Sequence, residues 1–146
     1  METTTSVNWL VWALLSAVFA AATAILAKIG LEGVDSGYAT LVRTVVIGMV
    51  LGLLVYATGK WRSLATVPPR ALLFLTLSGL ATGASWVCYF RALKIGEASR
   101  VAPVDKLSVV LVALFAVVVL GERPAAKDWA GIALVGAGVL LLSLRR

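Results

Sequence analysis

Residues 98–120 read ASRVAPVDKLSVVLVALFAVVVL. The stretch has the length and composition of a membrane-spanning helix, which needs about 20 predominantly apolar residues. Pro103, Asp105 and Lys106 interrupt it. Insertion scales put an Asp or Lys near the centre of a span at roughly +2.5 to +3.5 kcal/mol each, so a chain keeps such residues where an interaction offsets that cost. Pro103 has no N–H to donate to the carbonyl of Ser99, and so bends the helix or leaves that carbonyl to another partner. A broken backbone beside charged groups is a recurring arrangement at solute and ion sites within membranes. Successive residues stand about 100° apart around a helix, so Asp105 and Lys106 are expected to diverge. If the span starts at Ala98, both lie roughly 10 to 12 Å from one membrane face at ~1.5 Å per residue. Lys106 is expected to snorkel to that face, leaving Asp105 turned inward.

The rest of the chain agrees that the solvent is lipid. Of 146 residues, 61% are hydrophobic and 14% charged, and the mean hydropathy is +1.01. Soluble domains are about 45–50% apolar. The apolar windows, Trp9 to Ala27, Tyr38 to Ala57, Ala71 to Leu93, Ala98 to Leu120 and Trp129 to Leu144, make the expected fold an all-α integral membrane protein with five transmembrane helices. They leave no room for a soluble catalytic or nucleic-acid-binding domain. A net charge of +6 would suggest nucleic acid in a soluble protein. Here the basic residues flank spans, where headgroups and topology account for them, and no nucleic-acid partner is expected. The first window lacks a basic leader and a small-residue cleavage site, and is read as a retained helix in a chain starting near Met1. Cys88 has no second cysteine in the chain to pair with and is expected to be a small buried hydrophobe. Nucleophile elbows, phosphate loops, metal-ligand spacings and paired catalytic carboxylates are absent from the sequence, so neither enzymatic chemistry, cofactor nor metal is expected.

The connections fall at Lys28 to Gly37, Thr58 to Arg70, Lys94 to Glu97 and Gly121 to Asp128, with Pro68, Pro69 and Pro124 as helix stops. Trp9, Trp12, Tyr38, Tyr56, Trp61 and Trp129 sit at or near span ends as interfacial anchors. An odd number of spans puts the termini on opposite faces. The N-terminal face has Lys60, Arg62, Arg70, Arg123 and Lys127, and the other has Lys28, Lys94, Arg100, Arg145 and Arg146, which is five against five. Arg43 and Arg91 tip the balance weakly toward the second face. So small a bias permits insertion both ways, and two opposed copies would form an inverted-repeat dimer of ten helices. Gly48 with Gly52 and Gly79 with Gly83 form GxxxG pairs. The series Ala13, Ala17, Ala21 and the pair Ala133, Ala137, beside Gly131, Gly136 and Gly138, extend the small-residue pattern to four spans and predict a tight bundle.

In the third span, Ser78, Thr82, Ser85, Trp86 and Tyr89 recur at helical spacing and share a face. They line a cavity or hydrogen-bond to a neighbouring helix. An aromatic wall suits organic solutes, cations in particular. Arg43 and Arg91, near span ends on the same side as Asp105 and Lys106, are within possible reach of that pair. Ser108 adds a hydroxyl to the same segment. The alternative to a solute site is a structural cluster of ion pairs. Glu97 and Glu122 lie at span boundaries and read as interfacial or capping residues.

The segment Ala98-Ser-Arg-Val-Ala-Pro-Val-Asp-Lys-Leu-Ser, then Leu120-Gly-Glu-Arg-Pro, then Trp129-Ala-Gly-Ile-Ala-Leu-Val-Gly-Ala-Gly-Val-Leu-Leu resembles an EamA domain of the drug/metabolite transporter superfamily. Arg43 resembles the arginine of that family's second span, and the chain is similar in extent to one five-helix EamA repeat. Typical members fuse two repeats. The resemblance is to short single-repeat members, and the Asp105-Lys106 pair is similar to that subset. It implies a homodimer, antiparallel in its expected form, among the lipids of the cell (inner) membrane. It also implies a small-molecule substrate moved as a secondary transporter of metabolites or drugs, in the export direction. The first-helix glutamate of the related small multidrug resistance proteins has no counterpart between Asn8 and Ala27. Asp105 is the expected proton-coupling or substrate residue, tuned by Lys106 and Arg43, with Trp86 and Tyr89 lining the cavity. A non-transporting accessory subunit and a flippase of a lipid-linked substrate are the competing readings.

Overall fold

The computed structural model describes residues 3–144, with side chains from Trp9 onward. Arg145, Arg146 and Met1 lie outside the described residues. Each apolar window forms a helix because a backbone in hydrocarbon must satisfy its own N–H and C=O groups. The elements are α1 (Thr3–Gly30), α2 (Ser36–Ala57), a 3₁₀ turn at Leu64–Thr66, α3 (Pro69–Ile95), α4 (Ala98–Asp105), α5 (Ser108–Phe115), a π-helical turn at Ala116–Leu120, and α6 (Ala126–Leu144). Among the described residues they supply five segments long and apolar enough to cross a membrane, with α4, α5 and the π turn making the fourth, Ala98–Leu120. Trp12, Phe19, Leu53, Leu80, Val118 and Leu141 are 67–82% uncovered by the chain. Burying each such side chain is worth about 1.5–3 kcal/mol, so these surfaces are built for lipid or for another membrane helix. The protein is multi-pass.

Helix ends follow local chemistry. Asp35 caps α2 by accepting the N–H groups of Gly37 at 2.8 Å and Tyr38 at 3.0 Å. These bonds, the Tyr38 one foremost, hold its carboxyl below the ordinary value of 3.8. Pro69 opens α3, a position whose N–H has no helical partner in any case. The last span starts at Ala126, earlier than Trp129, because Asp128 reaches back to the Ala125 N–H at 2.8 Å, half of a capping box. Gly121, at φ +70°, closes the fourth span: its own N–H and that of Glu122 both reach the Ala116 carbonyl. The left-handed backbone there is why glycine precedes Glu122.

The chain divides into two compact units, one from Leu26 to Ile95 and one comprising the preceding part of α1 together with the chain from Gly96. In the first, α2 packs on α3 around Leu31, Thr40, Phe90 and Leu93. Thr40 and Thr44 return their hydroxyls to the carbonyls of Ser36 and Thr40, at 2.7 and 2.8 Å, so neither presents an unpaired O–H to lipid. Two lysines lace one end of this unit. Lys28 donates to the Leu93 carbonyl at 2.6 Å and Lys94 to the Val34 carbonyl at 2.7 Å, and Leu93 lies in the last turn of α3, where helical carbonyls lack partners. In the other unit, α4 and α5 pack on α6, with Ala116 and Val139 buried.

The tight approach expected at the glycine pairs is not made among the described residues. A Cβ added at Gly48, Gly52, Gly79 or Gly83 would meet no described atom within 4 Å, whereas at Gly136 it would stand 3.4 Å from Val110. Small residues bring helices together in the last span, and leave open grooves on α2 and α3.

Candidate functional site

The fourth span is broken where the charged pair falls. Pro103 lies inside α4, which ends at Asp105. From there the backbone tightens to i→i+3 bonds: Lys106 N–H to Pro103 at 2.9 Å, Leu107 to Val104 at 3.0 Å, Val109 to Lys106 at 3.0 Å and Val110 to Leu107 at 3.0 Å. A tightened stretch of this kind inside a helix marks a hinge or local strain. The Lys106 ammonium, rather than snorkelling away, folds back onto the Asp105 carboxylate at 3.3 Å. The lysine stem is long enough to reach its neighbour while the backbone at Lys106 (φ −72°, ψ −5°) and Leu107 (φ −58°, ψ −22°) stays in the right-handed helical region. Their side chains are 38% (Asp105) and 55% (Lys106) uncovered, so the pair is available to a solute or a partner. Ser108 begins α5 just beyond it and is exposed.

The same span ends in a second irregularity. Beside the π turn at Ala116–Leu120 opens a cavity of about 460 Å³, walled by Val109, Val112 and Ala116 and edged by Glu122, Arg123 and Asp128. Glu122, expected at a boundary, sits on the rim of this cavity. Glu97 holds the N-cap position of α4, but its carboxylate makes no cap bond and pairs with Arg100 at 3.4 Å.

In the Leu26–Ile95 unit the structure brings together Arg43 and the aromatic residues of α3. The Arg43 guanidinium lies over the Trp86 ring, 4.5 Å from its centroid, and 5.2 Å from that of Phe90. Tyr89 meets Phe90 edge to face at 6.4 Å. Trp86 and Phe90 are four residues apart and share the face of α3 that packs on α2. Phe90, 2% exposed, is the member of this group that sequence reading missed. Its signal was the Trp86–Phe90 spacing, obscured by the stripe of hydroxyls beside it. Those hydroxyls play a lesser part: Thr82 donates to the Ser78 carbonyl at 2.9 Å, and Ser78, Thr82 and Ser85 are exposed. Cys88, expected to be buried, is exposed. It is two positions from both Trp86 and Phe90, about 200° around the helix from either, and so points away from α2.

These features were compared with known proteins. The profile of the EamA-like transporter family matches residues 7–144. The chain belongs to that family. A relative from Sinorhizobium sp, described as an uncharacterized transporter in cobO 3'region, is 56% identical over 139 residues, which is 95% of this chain and 99% of that protein. No solved structure matches significantly. Family and relative together give this EamA chain a transporter role in the membrane.

Proposed function

We propose that the protein is a secondary transporter of small organic metabolites or drugs, operating as an exporter in the inner membrane by alternating access between two five-helix repeats. Each copy supplies one repeat, and two copies pair in opposite orientation. No enzymatic step is involved. The observation that carries the reading is the fourth span: a transporter-family chain keeps an exposed Asp105–Lys106 pair at a backbone break within an apolar segment long enough to cross a membrane. Asp105 couples transport to protons or binds solute, and Lys106 sets its charge state. The open glycine grooves of α2 and α3 support a second copy as the partner.

Transport in proteoliposomes under an imposed proton gradient tests the assignment. Asp105→Asn is expected to abolish coupled flux and Lys106→Ala to reduce it at least tenfold. Normal coupled flux in both variants would remove the pair from the mechanism. Labelling of single cysteines at positions 78, 82, 89 and 105, with Cys88 replaced, distinguishes a wet pathway from the dry interface of an accessory subunit. Flux of lipid-linked but not of free solutes would instead identify a flippase.

A further inference from the structure

The aromatic face of α3, read from sequence as a wall for cationic solutes, already carries a cation. Arg43 stands seven residues beyond the start of α2 at Ser36, roughly 10 Å along the helix at ~1.5 Å per residue. An arginine at that depth demands partners. The rings that meet it are those of Trp86 at 4.5 Å and Phe90 at 5.2 Å, with Tyr89 close enough to act on its charge. Ring faces stabilise the positive charge through their quadrupoles, but they offer no lone pairs to the five N–H groups of a guanidinium. Nor does the unit contain a carboxylate at that level. Between Leu26 and Ile95 the acidic residues are Glu32 and Asp35, both in the connection before α2, and Asp35 is occupied by the N–H groups of Gly37 and Tyr38. Arg43 is thus charged, held in place by buried Phe90 and half-buried Trp86, and lacks an anion of its own unit.

From this geometry we infer that Arg43 is a substrate-binding residue and that the transported solute is a small organic anion bearing a carboxylate. The inference rests on the transport reading and specifies its substrate class. The planar guanidinium accepts a carboxylate in a bidentate fork, and stacking on rings pre-orients that fork at little further entropic cost. Trp86 and Tyr89 supply apolar surface for the body of the solute. A cationic drug would meet the charge of Arg43 at the ring faces it needs.

The test uses the full-length protein in phosphatidylcholine nanodiscs, with unfolding temperature as the readout. The probes are phenylacetate and glutarate, their amides phenylacetamide and glutaramide, and the amines phenethylammonium and cadaverine. A carboxylate is expected to raise the unfolding temperature of the wild type where its amide and amine do not. Arg43→Lys, which keeps the charge over Trp86, is expected to weaken that carboxylate roughly 10- to 100-fold through loss of the fork. Arg43→Gln is expected to abolish the effect. An equal response to amines, an Arg43-independent response, or no response to either carboxylate overturns the inference. Adding phosphatidylglycerol separates the other source of an anion. An Arg43-dependent stabilisation by that lipid which blocks the carboxylate effect would assign the site to a headgroup and overturn the inference as well. Flux measurements keep the two readings apart: Arg43-dependent carboxylate binding without flux of any probe defeats the transport reading alone. Normal flux of amines in Arg43→Gln defeats the anion inference and leaves transport standing.

Discussion

Charged residues in this chain differ by what meets them. Arg43 is met by rings, Asp105 by its neighbour Lys106, and Asp35 by backbone N–H groups. Asp35 lies just outside α2, and its capping bonds favour the ionised form. The sign follows: a carboxyl whose folded pKa lies below its ordinary 3.8 contributes stability that is fully present above that value and is lost as pH falls through the folded value. Wild-type unfolding temperature is therefore expected to drop more steeply below pH 3.8 than that of Asp35→Asn, whose amide oxygen still caps but does not titrate in this range. A pH series of thermal melts on both proteins checks this. Sequence reading placed Arg43, Trp86 and Tyr89 in one candidate site from helical spacing, a shared membrane side and the family resemblance. It missed Phe90 because one apolar residue among many in a span carries no mark of what lies against it.

At the scale of elements, the decisive feature is the division of the fourth span into α4 and α5. Pro103→Ala restores a donor toward the Ser99 carbonyl and removes the ring clash, favouring one continuous helix. Hydrogen exchange at Lys106 and Leu107 is expected to slow and transport to fall several-fold, while thermal stability holds or rises. Slower exchange with normal transport would show that the break serves neither hinge nor site. The break was legible in the sequence because a proline and two charges in an apolar run each act locally. The return of Lys106 onto Asp105 was not, because the roughly 100° spacing of consecutive side chains describes the backbone and leaves the rotamers of a long lysine stem undetermined. The cavity beside Glu122, Arg123 and Asp128 escaped notice for a similar reason: it depends on α6 lying against α5 and the π turn.

At the scale of the molecule, the open grooves over Gly48, Gly52, Gly79 and Gly83 make a separable prediction. Gly48→Leu and Gly79→Leu start from positions where an added Cβ meets no described atom within 4 Å, so each is expected to leave unfolding temperature unchanged or raised, since leucine favours a helix over glycine by roughly 0.5–1 kcal/mol. Crosslinking in membranes is expected to show loss of the dimer in the same variants, with transport lost alongside it. Labelling the termini from each side of the membrane is expected to find both orientations. A single orientation would exclude an antiparallel homodimer.

Hydropathy and the placement of prolines and glycines were enough, without coordinates, to determine the interrupted fourth span and the spans to within three residues of the observed ends, except that α1 begins six residues before Trp9, at Thr3; the family came from the resemblance of the last two spans. Lipid acts on one segment at a time, because each helix satisfies its own backbone, so spans are written locally. What meets each polar group was decided by tertiary structure: the rings of α3 under Arg43, the carbonyls taken by Lys28 and Lys94, the outward turn of Cys88, and the glycines left open. Those outcomes depend on which helix faces pack together, and in a chain whose faces are nearly all apolar, composition does not distinguish one face from another.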